Sequence, residues 1–213
     1  SCIRAVTSAT VRQSYDWHPH ENPMTNPEHG QALCPHFGEC GGCQFQDMPY
    51  AQQLEQKQQR LLALLADHWQ GLLPVHPSPA IWHYRNKVDP AFDRMHYPEP
   101  PPKDFPRGTA LGFKKKGKWY ATLDLQDCLI APEGLPVLMQ AVRQWVAHHD
   151  FKPFHTRSKQ GYLRFLLVRE GKRTGQRMVV LITAEGPRPG DDFVAAVQAA
   201  LPATSIQWGI NPS

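Results

Sequence analysis

Three cysteines crowded into ten residues, Cys34, Cys40 and Cys43, constrain this chain more than any other feature. Their spacing is C-x5-C-x2-C, a Gly41-Gly42 pair separates the last two, and Cys128 lies far downstream. Four thiolates are the usual complement of one [4Fe–4S] cluster or one structural zinc ion. Glycines suit a backbone that must bend sharply and pass close to such a centre, and amides in the turn can point at its sulfurs. Zinc ribbons usually pair two short C-x2-C knuckles, which this array does not. Thiolate spacing does not choose strictly between metals, so zinc remains the alternative metal. The fifth cysteine, Cys2, reads as an incidental thiol.

A chain of 213 residues suits one or two domains and can bury a core. Its 41% hydrophobic and 20% charged residues fit a globular protein. It contains no apolar run long enough to span a bilayer and no export signal at Ser1-Cys2-Ile3-Arg4. Cysteines in a metal-type pattern then suggest a reducing cytoplasm. The net charge of +4 is unevenly spread. Residues 103–118 and 152–177 are both dominated by lysine and arginine, which suggests one face suited to phosphates. Solvated hairpin tips would carry similar charges.

Periodicity supplies the elements. Residues 3–12 alternate as a strand, and residues 13–33 read as a loop in which His18, His20 and His29 face solvent. His36, inside the cysteine array, is expected to shape the loop rather than act as a ligand. Leu54, Leu61, Leu65 and Trp69 mark a helix from Tyr50 to Trp69, with Pro49 at its start. Residues 84–92 form a strand interrupted near Pro90, with Arg85 and Lys87 on one side. A lysine-rich hairpin pairs 109–114 with 118–125; Trp119 and Tyr120 point to opposite faces, one into the core and the other free to stack. A helix around Leu135–Val146 buries Trp145, strands follow at 161–169 and 177–183, a helix at 191–201 is capped by Asp191, and a last strand covers 205–210. The expected class is α+β: a mostly antiparallel central sheet with three helices and an irregular cysteine-bearing segment.

Cys34 to Gln44, followed by Gln46 and Tyr50, resembles the iron–sulfur signature of the S-adenosylmethionine-dependent RNA uracil-5-methyltransferases. His83-Tyr84-Arg85-Asn86-Lys87-Val88 resembles the strand opening that family's central domain. Leu111-Gly112-Phe113-Lys114, continuing to Asp124-Leu125-Gln126-Asp127-Cys128, resembles the hairpin that leads to its fourth cluster cysteine. The resemblance runs from about Cys34 to the C-terminus. It implies a [4Fe–4S] cluster on Cys34, Cys40, Cys43 and Cys128, with a structural rather than a redox role. It implies RNA contacts from Arg85, Lys87, Lys114, Lys116, Arg164 and Arg173. Residues 1–12 would end an N-terminal β-barrel, 13–70 would carry the cluster segment and its helix, and 71–213 would form the RNA-engaging domain. The expected target is a uridine of 23S rRNA, with tRNA as the alternative, for a monomeric cytoplasmic enzyme. A non-enzymatic zinc-holding RNA-binding module and an electron-transfer protein are the readings outside that family. S-adenosylmethionine would bind a further domain, of which these residues carry no sign. With four cysteines committed to the cluster and no nucleophile for uracil C6, this chain alone is expected to be inactive.

Overall fold

The computed structural model describes residues 33–103 and 105–212. The expected strand at 3–12, the three loop histidines and Cys2 lie outside the described residues. In chain order the elements are α1 (Tyr50–Leu65), β1 (Lys87–Val88), β2 (Ala91–Arg94), β3 (Thr109–Lys115), β4 (Lys118–Asp124), α2 (Leu135–His148), β5 (Leu163–Glu170), β6 (Arg177–Thr183), α3 (Asp191–Ala200) and β7 (Ser205–Ile210). The strands form one sheet in the order β4-β3-β2-β5-β6-β7, with β1 also paired to β5. All pairs are antiparallel except β6 with β7, which run parallel because α3 carries the chain back across the sheet. The expected α+β class with three helices and a mostly antiparallel sheet holds, and the interruption falls at Asp89-Pro90, between β1 and β2.

Helices α2 and α3 cover one face of the sheet. Leu135, Leu138, Met139, Val142, Trp145 and Val146 of α2 are buried, as are Phe193 and Val197 of α3. They pack with inward-facing Leu111, Leu166, Val168, Val179 and Leu181 into one core. The period-two alternation of β6 and the helical period of α2 thus meet on a common apolar layer. Trp145 is in the core, as its position in the pattern predicts.

Two local readings change. Helix α1 stops at Leu65, where the Leu65 carbonyl accepts from both His68 and Trp69 N–H and closes the last turn. No α1 residue is buried, and Leu64 is 68% exposed, so its leucine period has no covering partner among the described residues. Gly190, not Asp191, occupies the N-cap of α3. Asp192 in the first turn does the positioning instead. Its Oδ2 accepts from Trp145 Nε1 at 2.8 Å and pairs with His149 Nε2 at 2.5 Å, tying α3 to the end of α2.

The His149 hydrogen bond holds the Asp192 carboxyl below its ordinary pKa of 3.8. A depressed carboxyl contributes stability that is fully present above the unfolded value and lost as pH falls through the folded one. Asp192→Asn is therefore expected to lower stability at neutral pH, with the difference from wild type disappearing in acid. Urea midpoints measured across that range test it.

Candidate metal centre and nucleic-acid interface

The cysteine loop is a run of tight turns: Phe37 N–H donates to Cys34 O and Cys40 N–H to His36 O, with Gly38 at φ 87°. It docks on the β3–β4 hairpin as a short extra rung. Gly41 N–H donates to Lys114 O at 3.0 Å and Lys116 N–H to Glu39 O at 2.8 Å, while Cys40 and Lys115 form an antiparallel bridge. A Cβ at Gly41 would lie 3.1 Å from the Lys114 carbonyl oxygen, so a side chain there would force the rung to give by a few tenths of an ångström. Lys115 Nζ pairs with Glu39 at 2.5 Å. His36 Nε2 accepts from the Gln126 N–H at 3.0 Å, the loop-shaping role expected of it. That bond tethers the segment that delivers Cys128.

As a result all four cysteines line one cavity of about 360 Å³, beneath the hairpin. Hydrogen-bond donors already address two of the sulfurs: Gly42 N–H to Cys40 Sγ at 3.4 Å and Gln46 Nε2 to Cys43 Sγ at 3.3 Å. Burial pushes the Cys34 and Cys43 thiols up and Cys128 to about 11. Ionising these thiols in such surroundings requires a positive centre to offset the lost hydration. Among the described residues no group of three or more His, Cys, Asp or Glu side chains converges on a point suited to a single metal ion.

The basic residues divide. Arg85, Lys114 and Lys116 border the same cavity. Lys114 is partly neutralised, its Nζ lying 3.2 Å from Asp93 Oδ2 and 2.9 Å from Thr122 Oγ1. Lys87 pairs with Asp89 at 3.0 Å and stands opposite Arg169 across the β1–β5 ladder. Arg173 is exposed in the β5–β6 turn, which starts beside Asn86 through the Glu170 N–H bond to Asn86 O. Arg164 does not join them. Its guanidinium carbon lies 3.8 Å from the Phe154 ring centroid, and its Nε and Nη2 are buried without partners. The irregular β5–β6 pairing between Leu163 and Phe165 brackets this residue.

Trp119 and Tyr120 correct another expectation. Neither enters the core: they are 81% and 58% exposed and meet edge to face at 5.9 Å. The first three residues of β4 run past the covered part of the sheet, so alternation there selects between two open faces. Sequence reasoning also missed Trp82, a buried residue whose Nε1 has no hydrogen-bond partner, and the buried, unpaired Oε1 of Gln46. Orphaned polar atoms depend on tertiary enclosure, which no spacing pattern reports.

No family model matches the chain. It is 32% identical to the tRNA (uracil(54)-C(5))-methyltransferase of Pyrococcus horikoshii over 182 residues, 84% of this chain and 39% of the relative. The Pyrococcus furiosus enzyme of the same name is 32% identical over 186 residues, covering 85% of this chain and 39% of the relative. An uncharacterized RNA methyltransferase of Protochlamydia amoebophila is 33% identical over 162 residues, covering 73% of this chain and 34% of the relative. The crystal structure of Pyrococcus abyssi tRNA (uracil-54, C5)-methyltransferase in complex with S-adenosyl-L-homocysteine superposes with a TM-score of 0.60 at 27% identity, covering 84% of this chain and 38% of that one. This chain therefore spans less than two fifths of the length of these relatives. These relatives are named as RNA methyltransferases, and those of them whose target is stated are named for carbon 5 of a uracil in tRNA.

Proposed function

We propose that this chain is the cysteine-bearing, RNA-engaging portion of an S-adenosylmethionine-dependent methyltransferase acting on C5 of a uridine in tRNA. The observation that carries this reading is the likeness, over 84% of the chain, to a relative named for that activity. The 23S rRNA target expected from the sequence has no counterpart among the named targets of those relatives, so tRNA is favoured. S-adenosylmethionine would supply the methyl group at a site outside these residues. Cys34, Cys40, Cys43 and Cys128 are assigned to a [4Fe–4S] cluster, which has room in the cavity that they line. The C-x5-C-x2-C spacing with a remote fourth cysteine, unlike the paired C-x2-C knuckles of zinc ribbons, is what favours the cluster over zinc. The enzyme of which these residues are part would work as a monomer in the reducing cytoplasm. Among the described residues no helix is long and apolar enough to cross a membrane.

Arg85, Lys87, Lys114, Lys116 and Arg173 form the proposed phosphate-binding face, and Trp119 and Tyr120 present aromatic surface beside it. Arg164, covered by Phe154, is left out. Titration of the chain with a tRNA transcript and with a 23S rRNA fragment tests the reading. Tighter binding of tRNA, weakening steeply with salt, is the expected result; equal, salt-independent binding of both would reject it. Lys116→Ala is expected to lower the slope of log affinity against log salt by about one unit. Trp119→Ala is expected to cost ~1–3 kcal/mol of RNA affinity if the indole stacks on a base, with no loss of fold.

A further inference from the structure

A second cavity, of about 440 Å³, opens between the end of the cysteine loop, the start of α1 and residues 78–84. Its volume is in the range of small-molecule pockets. Two features make it more than a surface dent. Phe45 and Tyr84 stand half-exposed in its wall, next to Ala80 and Ile81. The same wall holds Gln46 and Trp82, only 7% and 6% exposed, each with a polar atom lacking any partner. One orphan is an acceptor, Gln46 Oε1, and the other a donor, Trp82 Nε1. Native interiors rarely leave such groups unpaired, and the exceptions call for an explanation.

We propose that this cavity holds one unpaired base of the RNA substrate, stacked on Tyr84 or Phe45 and read on its edge by Gln46 and Trp82. A nucleobase carries donors and acceptors on one rim and an apolar face that stacks on aromatic side chains, which matches this wall. The proposal rests on the RNA-binding reading above. The base held here is not the one methylated, because the thiol in this wall, Cys43, is assigned to the metal centre. Gln46 is common to both cavities: its Nε2 donates to Cys43 Sγ, which fixes the amide so that Oε1 is the atom left for a ligand. Cys43 thereby sets the hydrogen-bonding polarity of the pocket. Both orphan atoms are sealed in the free chain, so a base reaches them only when side chains of this wall shift on binding.

The test uses unstructured RNA hexamers of uridine or adenosine, added to the ¹⁵N-labelled full chain. The indole N–H signal of Trp82, assigned by its loss in Trp82→Phe, should move downfield on RNA addition. Tyr84→Ala and Trp82→Phe should each weaken hexamer binding about ten-fold, and neither should weaken further an RNA carrying abasic positions. Tyr84 is half-exposed, so its replacement leaves the fold intact, and circular dichroism verifies this for both variants. RNA binding with an unmoved Trp82 signal and unchanged variant affinities would overturn the pocket while leaving the RNA-binding reading standing. Absence of any RNA binding would overturn both.

Discussion

Replacing Cys128 with serine is expected to reduce the iron of the anaerobically purified chain from about four atoms to near zero, and to remove its brown colour. The other three thiols sit on one short loop, so Cys128 is the proposed ligand whose placement depends on the whole sheet. Serine is close to isosteric, and the local turn needs only the backbone: Ala131 N–H donates to the Cys128 carbonyl, and Cys128 N–H bonds Asp127 Oδ1. The metal-free variant should therefore match metal-free wild type in stability to within about 0.5 kcal/mol. Iron and sulfide assays with absorbance spectra decide the matter. Stoichiometric zinc without sulfide, persisting after anaerobic reconstitution with iron and sulfide, would instead favour a zinc-holding RNA-binding module.

Gly112→Ala is expected to be the most damaging single methyl group in the hairpin. A Cβ there would lie 2.0 Å from the Leu123 carbonyl oxygen and 2.9 Å from Leu125, on a strand whose neighbours Ala91 and Asp124 flank it on both sides. The obstruction is backbone, which cannot rotate away, and the site is buried. A loss of at least ~3 kcal/mol follows from overpacking at such a position, or roughly 6–12 °C in melting temperature for a chain of this size. Gly117→Ala is the control: its φ is 70°, but the added Cβ meets nothing within 4 Å. It should cost only ~1 kcal/mol of backbone strain. Thermal melts of the two variants separate steric collision from backbone conformation.

Much of the fold was written in local patterns. The strands at 177–183 and 205–210 coincide with β6 and β7, because apolar alternation and flanking breakers leave little choice of boundary. The hairpin around Gly117 and the buried stripe of α2 were legible for the same reason. Strand order was not, since it depends on which apolar faces meet across the sheet. The cysteine pattern identified the residues that the fold gathers round one cavity, although nothing in their spacing places Cys128 beside Cys43. Arg164 shows the converse limit: its charge marked it as a phosphate contact, and a ring 3.8 Å away covers it. The same blindness to enclosure hid Trp82, the sealed Oε1 of Gln46, and Arg143, whose guanidinium holds Asp124 Oδ1 at 2.8 Å and the Leu111 carbonyl at 3.0 Å.

The docking of the cysteine loop dictates an order of assembly. Its anchors join residues far apart in the chain: Glu39 with Lys115 are 76 positions apart, and His36 with Gln126 are 90. Closing loops of that length is entropically unfavourable until local structure has narrowed the search. The β3–β4 hairpin, by contrast, closes over a two-residue turn and presents the Lys114 carbonyl that the loop needs. The hairpin is therefore expected to form first, with the loop settling on it afterwards and whatever the four thiols hold loaded last. Until then Cys34, Cys40 and Cys43 ride on an undocked segment, so oxidation during synthesis threatens the immature chain far more than the finished one.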